Sequence, residues 1–257
     1  MPEIEFLVRG TEFLRQLKER GCALCSPTIL EADELCFRAT GLYNPCVALK
    51  VDDEIVTNDI VFDSDNALIY VLTGPNRGGK SVITCAVGIA QALMQLGMFV
   101  PAESATISIA DGIFTHFPTG ADDTIDKGRL GEECARLRDI FEEVTENSLV
   151  LLDESLSSTG SFEASYIAAE VLAGLSRVGC RCLFSTHLHE LAAEIDGINA
   201  RTAPEGGATI DTLVAGIADG RRSFKIFRQK PDGKSYARDI ADKYGLSYEY
   251  IVNRIKK

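Results

Sequence analysis

The 257-residue chain is 46% hydrophobic and 25% charged, ordinary proportions for a globular protein that can bury one substantial core. Its net charge of −12 argues against a broad basic face for gripping DNA, which needs clustered Lys and Arg. No apolar run reaches the roughly 18 residues of a membrane span, and the start MPEIEFLVRG lacks the basic-then-apolar order of a secretory signal, so a cytoplasmic location is expected.

In chain order, residues 1–45 read as helix and turn. Phe13, Leu14 and Leu17 make one apolar stripe that Gly21 stops, and Gly41-Leu42-Tyr43-Asn44-Pro45 is a turn cluster at a boundary. From Cys46 to Phe62, short apolar stretches separated by Asp52-Asp53 and Thr57-Asn58-Asp59 suggest antiparallel strands. Ala67–Thr73 is continuously apolar, as expected of a buried parallel strand, and a helix follows over Gly79–Leu96. Short strands fit Ala105–Ala110 and Ile113–His116. Gly131–Asn147 has helical periodicity through Cys134, Leu137, Ile140, Phe141 and Val144. A second buried strand ends in Asp153, a helix covers 162–178, and a third strand spans Arg181–Ser185. This alternation argues for an α/β fold with a mainly parallel sheet and a smaller antiparallel β part. A hairpin (208–217 and 222–229) and two short helices (235–244 and 247–256) complete the pattern.

The eight cysteines are spread through the chain, several in apolar segments, and read as buried free thiols. Cys22-Ala23-Leu24-Cys25 has half the spacing of a zinc knuckle, but no second pair follows. Arg221, Arg222, Lys225, Arg228 and Lys230 form either a local basic strip or a solvated strand face.

Three segments carry chemistry. Gly74-Pro75-Asn76-Arg77-Gly78-Gly79-Lys80-Ser81 matches G-x-x-x-x-G-K-[ST] between an apolar strand and a helix. Glycines let successive N–H groups converge on phosphate oxygens, Lys80 reaches the β- and γ-phosphates, and Ser81 can hold Mg²⁺. The alternative is a chance glycine-rich turn before a helix, which the flanking strand and helix argue against. About 70 residues on, Leu149–Glu154 ends a buried strand in two carboxylates. Asp153 there can position Mg²⁺, and Glu154 can orient and deprotonate a water. Standing alone, such an acidic strand end could simply meet solvent. The third segment, Phe184-Ser185-Thr186-His187, ends the next strand. His187 could sense a γ-phosphate or hold the water, because α/β sites form at the C-terminal ends of strands. His189 reads as a bystander.

Together these words resemble the ATPase domain of the MutS mismatch-repair family. The resemblance runs through Thr73–Ser81, Gly97–Ala102, Asp111–Thr115, Ser148–Glu154 and Phe184–Leu191, and extends to Ser235-Tyr236-Ala237 and Gly245-Leu246. It implies a P-loop, ABC-like ATPase over residues 46–257, preceded in 1–45 by the end of a helical lever. It also implies that nucleotide is sandwiched in a homodimer, and that DNA is held by modules outside this chain. Carried over residue by residue, Gly74, Pro75, Asn76, Arg77, Gly78, Gly79, Lys80, Ser81 and Val82 bind nucleotide, with Asn58 near the base loop. Ser81 and Asp153 take Mg²⁺, Glu154 is the hydrolytic base, His187 the switch histidine, and ATP and ADP are substrate and product.

Three departures stand out. Gly128-Arg129-Leu130 replaces the family's Ser-Thr-Phe signature, so Arg129 is either a charged stand-in for the missing hydroxyl or a solvated helix-start residue. Ser155-Leu156-Ser157-Ser158-Thr159-Gly160-Ser161 stands where the family reads Ile-Gly-Arg-Gly-Thr-Ser, and Arg77 and Val82 where it has Met and Thr. The leading expectation is an ATPase coupling nucleotide state to a DNA clamp in mismatch repair. The alternatives are a MutS-like ATPase acting on branched DNA, recombination intermediates or ribosomes, and a nucleotide-binding interaction module with little turnover.

Overall fold

The computed structural model describes residues 2–118, 128–156, 160–218, 221–231, 244–246 and 248–255. Its centre is a six-stranded sheet ordered β10-β9-β4-β8-β7-β6, in which β4 is Ile69–Thr73, β6 Ile113–His116, β7 Leu149–Asp153, β8 Arg181–Ser185, β9 Ile210–Ala218 and β10 Arg221–Arg228. All neighbours are parallel except the β9–β10 hairpin. β4, β7 and β8 are buried at all five positions, which explains their unbroken apolar sequences: both faces are covered.

Alternate side chains feed two cores. Ile69, Val71, Val150, Leu152, Cys182 and Phe184 pack against α5 (Ser161–Val178) and α6 (His189–Thr202). Tyr70, Leu72, Leu149, Leu151 and Leu183 face the opposite way, onto Ile83, Ala86, Val87, Ala90 and Met94 of α3 (Lys80–Gln95). Burying each such large side chain contributes roughly 1.5–3 kcal/mol. α3 is in turn covered by a four-stranded sheet ordered β1-β5-β2-β3, with β1 Thr28–Leu30, β2 Phe37–Leu42, β3 Asn58–Phe62 and β5 Ser104–Ser108. The two sheets meet at an edge-to-face aromatic series, Phe37 on Phe62 at 5.9 Å and Phe62 on Tyr70 at 5.3 Å.

The helix-and-turn reading of residues 1–45 holds for α1 (Pro2–Glu19) but not for β1 and β2. Buried Phe37 and Ala39 alternate with exposed Arg38 and Thr40, the period-2 pattern of a strand covered on one face. Between Cys46 and Phe62 the expected strands reduce to β3 alone. Pro45–Ala48 is a short helix, α2, whose N-terminal amides at Cys46 and Val47 are capped by the Asn44 side chain. α4 runs from Gly128 to Glu143, three residues earlier than its periodicity suggests. α6 was not expected at all, and α7 is Tyr248–Ile255. The helix expected over 235–244 lies, apart from Tyr244 in a turn, outside the described residues, as do Ser235-Tyr236-Ala237.

All eight thiols are free, but only Cys36, Cys180 and Cys182 are buried, and Cys46 is exposed. Cys25 pairs its backbone with Val100, and Cys180 and Cys182 are fully buried. Lys225, Arg228 and Lys230 are tied to the Thr57 carbonyl, Asp211 and Asp196, so this basic strip is largely engaged within the molecule. No described helix is long and apolar enough to cross a membrane.

Candidate functional site

The C-terminal ends of β4, β7 and β8 converge beside the N-terminus of α3. The loop between β4 and α3 needs its glycines for stated reasons. Gly74 sits at φ 133°, and a Cβ there would meet Ala215 at 2.8 Å. A Cβ on Gly78 would meet the Pro75 carbonyl oxygen at 2.8 Å. Arg77 holds φ 60° without being glycine, a conformation costing about 1–2 kcal/mol, so the loop is fixed by its surroundings.

Lys80, the first residue of α3, is buried with its ammonium inside the loop. Nζ donates to the Gly74 carbonyl at 3.2 Å and the Pro75 carbonyl at 3.4 Å, and lies 3.3 Å from Glu154 Oε1. The other oxygen of Glu154 accepts from His187 Nδ1 at 2.5 Å. One cation, one carboxylate and one imidazole therefore form a chain across three strand ends. Burial works to raise the Glu154 carboxyl, but the His187 hydrogen bond and the Lys80 charge outweigh it and hold it below its ordinary value. His187 is correspondingly raised by that hydrogen bond. Glu154 also sits at φ 48°, its N–H donating to the Ser185 carbonyl at 2.9 Å.

Asp153 is buried, and its Oδ1 has no hydrogen-bond partner. Burial pushes its carboxyl upward, while the Ser81 and Ser185 hydroxyls pull it back. A desolvated carboxylate oxygen with no donor is a group that a cation satisfies, and Ser81 adds a hydroxyl beside it. Among the described residues no three or more His, Cys, Asp or Glu side chains converge as a metal cage. Mg²⁺ needs no such cage, since one or two protein ligands with phosphates and water suffice.

A cavity of about 880 Å³ opens over the loop. Asn58, Asn76, Arg77, Gly79, Lys80, Ser81, Val82, Glu154 and His187 line it, whereas Gly74, Pro75, Gly78 and Asp153 are not part of its lining. Gly74 and Pro75 turn their carbonyls to Lys80. Asn58 is placed differently from a base-binding group: its amide donates to the Phe224 carbonyl at 3.1 Å and accepts from the Ile226 N–H at 2.7 Å. It clamps the irregular stretch of β10 in which Phe224 adopts φ 56° and presents its half-exposed ring to the cavity beside Gly79. Val47, Ile55, Val56 and Phe224 give the cavity an apolar wall that sequence reasoning did not identify. Ile55-Val56, two residues before Asn58, was the nearest signal. Phe224 had none, because its place depends on a register shift between β9 and β10. Gly128 and Leu130 form the first turn of α4, and the Arg129 side chain lies outside the described residues.

The family model for MutS domain V matches residues 70–206. The chain is similar to the DNA mismatch repair protein MutS of Roseiflexus sp. (strain RS-1), 33% identical over 226 residues, or 85% of this chain and 20% of that protein. It is 35% identical over 238 residues to DNA mismatch repair protein MutS 1 of Haloarcula marismortui, covering 89% of this chain and 24% of that one. With MutS of Prochlorococcus marinus (strain MIT 9301), identity is 41% over 150 residues, 58% of this chain and 16% of the relative. The chain thus spans about a fifth of the length of the curated relatives it matches.

Proposed function

The chain belongs to the MutS family, and from that premise we propose that it is the P-loop, ABC-like ATPase part of a DNA mismatch-repair protein. The observation that carries the reading is the Lys80–Glu154–His187 chain at the mouth of the glycine-rich loop. Lys80 is held by the Gly74 and Pro75 carbonyls and by Glu154, partners that the β- and γ-phosphate oxygens of ATP would replace. Backbone N–H groups from Asn76 to Ser81 and the N-terminus of α3 add the remaining positive field. The apolar wall with Phe224 accepts the base, and Asn58 holds that wall in place. Ser81 and Asp153 are the groups that would hold Mg²⁺, which when bound neutralises phosphate charge.

Glu154, kept ionised, accepts a proton from the attacking water. His187 fixes the carboxylate through its other oxygen and, once ATP draws Lys80 away, remains its hydrogen-bonding partner. Family resemblance further supports a dimer that closes over the nucleotide, with the first turn of α4 facing the partner. DNA would be held by parts of the longer protein, its clamp state set by the nucleotide.

Steady-state phosphate release with Mg²⁺, run beside the affinity of a fluorescent ATP analogue, tests this. Lys80→Ala should weaken nucleotide binding by about tenfold or more and abolish turnover. Wild-type affinity in that variant would remove the phosphate-loop assignment.

A further inference from the structure

The turn that carries Glu154 is held from two sides. On one side the Glu154 N–H donates to Ser185 of β8. On the other, β6 runs parallel to β7 with His116 opposite Leu152, which brings the His116 ring against the residue after Glu154. His116 Nδ1 and Ser155 Oγ lie 2.8 Å apart, and Ser155 Oγ lies 3.4 Å from the His116 carbonyl oxygen. Both residues are almost fully buried, at 1% and 2% exposure. A self-closing pair satisfies both contacts: Nδ1–H donates to Ser155, and the hydroxyl donates to the carbonyl.

The segment so tethered is an unfavourable one. Glu154 and Leu156, on either side of Ser155, have φ 48° and 64°, the left-handed region that side-chain-bearing residues avoid. Such a backbone persists only when its surroundings over-determine it. The imidazole is an awkward group to bury here. Its Nε2 has no hydrogen-bond partner, and burial together with the Arg136 charge lowers its pKa to about 4, so it stays neutral.

We propose that His116 and Ser155 are positioning residues for hydrolysis, a buried tether that fixes the Glu154 turn so that its carboxylate faces the cavity. The proposal rests on the reading of Glu154 as the base, and neither His116 nor Ser155 lines the cavity.

The test uses Ser155→Ala, His116→Leu and His116→Asn, with Glu154→Gln as the reference. Asn retains a polar atom near the position of Nδ1, and Leu does not. Ser155→Ala and His116→Leu should each lower kcat by about fivefold or more with KM for ATP within about twofold, and the double variant should be no worse than either single. His116→Asn should recover much of the loss. Hydrogen–deuterium exchange of the 153–156 backbone should quicken in the first two variants and return toward wild type in the third. Wild-type kcat and wild-type exchange in Ser155→Ala and His116→Leu, with Glu154→Gln inactive, would overturn the tether and leave the base reading standing. If Glu154→Gln hydrolyses ATP as well as wild type, the base reading fails instead, and unchanged exchange in Ser155→Ala would then overturn the tether separately.

Discussion

The buried imidazole of His116 makes the fold sensitive to acid in a calculable way. Its folded pKa is depressed from 6.5 to about 4, because burial and the nearby Arg136 charge disfavour the protonated ring. A depressed histidine contributes stability that is fully present above 6.5 and is lost as pH falls from 6.5 through about 4, since the unfolded chain takes up the proton first. At about pH 5.5 the unfolded imidazole is mostly protonated while the folded one stays neutral, so unfolding gains about tenfold, or roughly 1.4 kcal/mol. Urea denaturation of wild type and His116→Asn at about pH 7.5 and about pH 5.5 isolates this contribution, because all other groups cancel in the comparison. Wild type should lose roughly 1.4 kcal/mol more than the variant between the two conditions. Equal losses would refute the reasoning and show that the ring is either solvated or already charged.

Other consequences follow from single positions. Gly74→Ala should cost roughly 2 kcal/mol or more and weaken ATP binding, since its φ of 133° and the 2.8 Å approach to Ala215 leave no room for a Cβ; wild-type stability by urea denaturation would contradict this. Arg181, fully buried, donates to the carbonyls of Cys36, Ser108, Ile109 and Asn147 and so ties the two sheets together. Arg181→Met should destabilise by roughly 1–3 kcal/mol because the Ile109 and Asn147 carbonyls lose this donor, whereas Cys36 keeps the Ser108 N–H and hydroxyl and Ser108 keeps the Gln91 amide; an unchanged denaturation midpoint would count against it. His187 should titrate above 6.5 by NMR, its pairing with Glu154 present below that pH and lost as pH rises through the raised value; Glu154→Gln should lower the midpoint, and an unmoved midpoint would separate the two groups.

Much of the parallel sheet was legible because β4, β7 and β8 are buried on both faces, and such strands announce themselves as unbroken apolar runs. The glycine-rich loop, Glu154 and His187 were legible as motifs, and the structure brings them into hydrogen-bond range at the strand ends. The segment before residue 45 was less so. Phe37 and Ala39 alternate with Arg38 and Thr40, yet this half-buried pattern was obscured by the glycine and proline that follow. α6 carried a usable stripe, Leu191, Ile195 and Ile198, which the histidines at its start overshadowed. What the sequence could not disclose were the contacts set by distant pairing. Asn58 meets β10 across 168 residues, Phe224 reaches the cavity through a strand irregularity, and His116 finds Ser155 only because β6 and β7 are neighbours. The family resemblance put Asn58 near the base loop; it lines the cavity, and its amide is engaged by the backbone of β10.

The central claim is that the cavity above α3 holds ATP with a hydrolysing carboxylate beside it. Single-turnover hydrolysis with Mg²⁺ and protein in excess over labelled ATP tests this most directly, because it separates chemistry from binding and product release. Wild type should convert the bound ATP to ADP and phosphate, whereas Glu154→Gln should retain it uncleaved, with the rate reduced by about a hundredfold or more. Equal rates in the two proteins, or uncleaved ATP in both, would contradict the account.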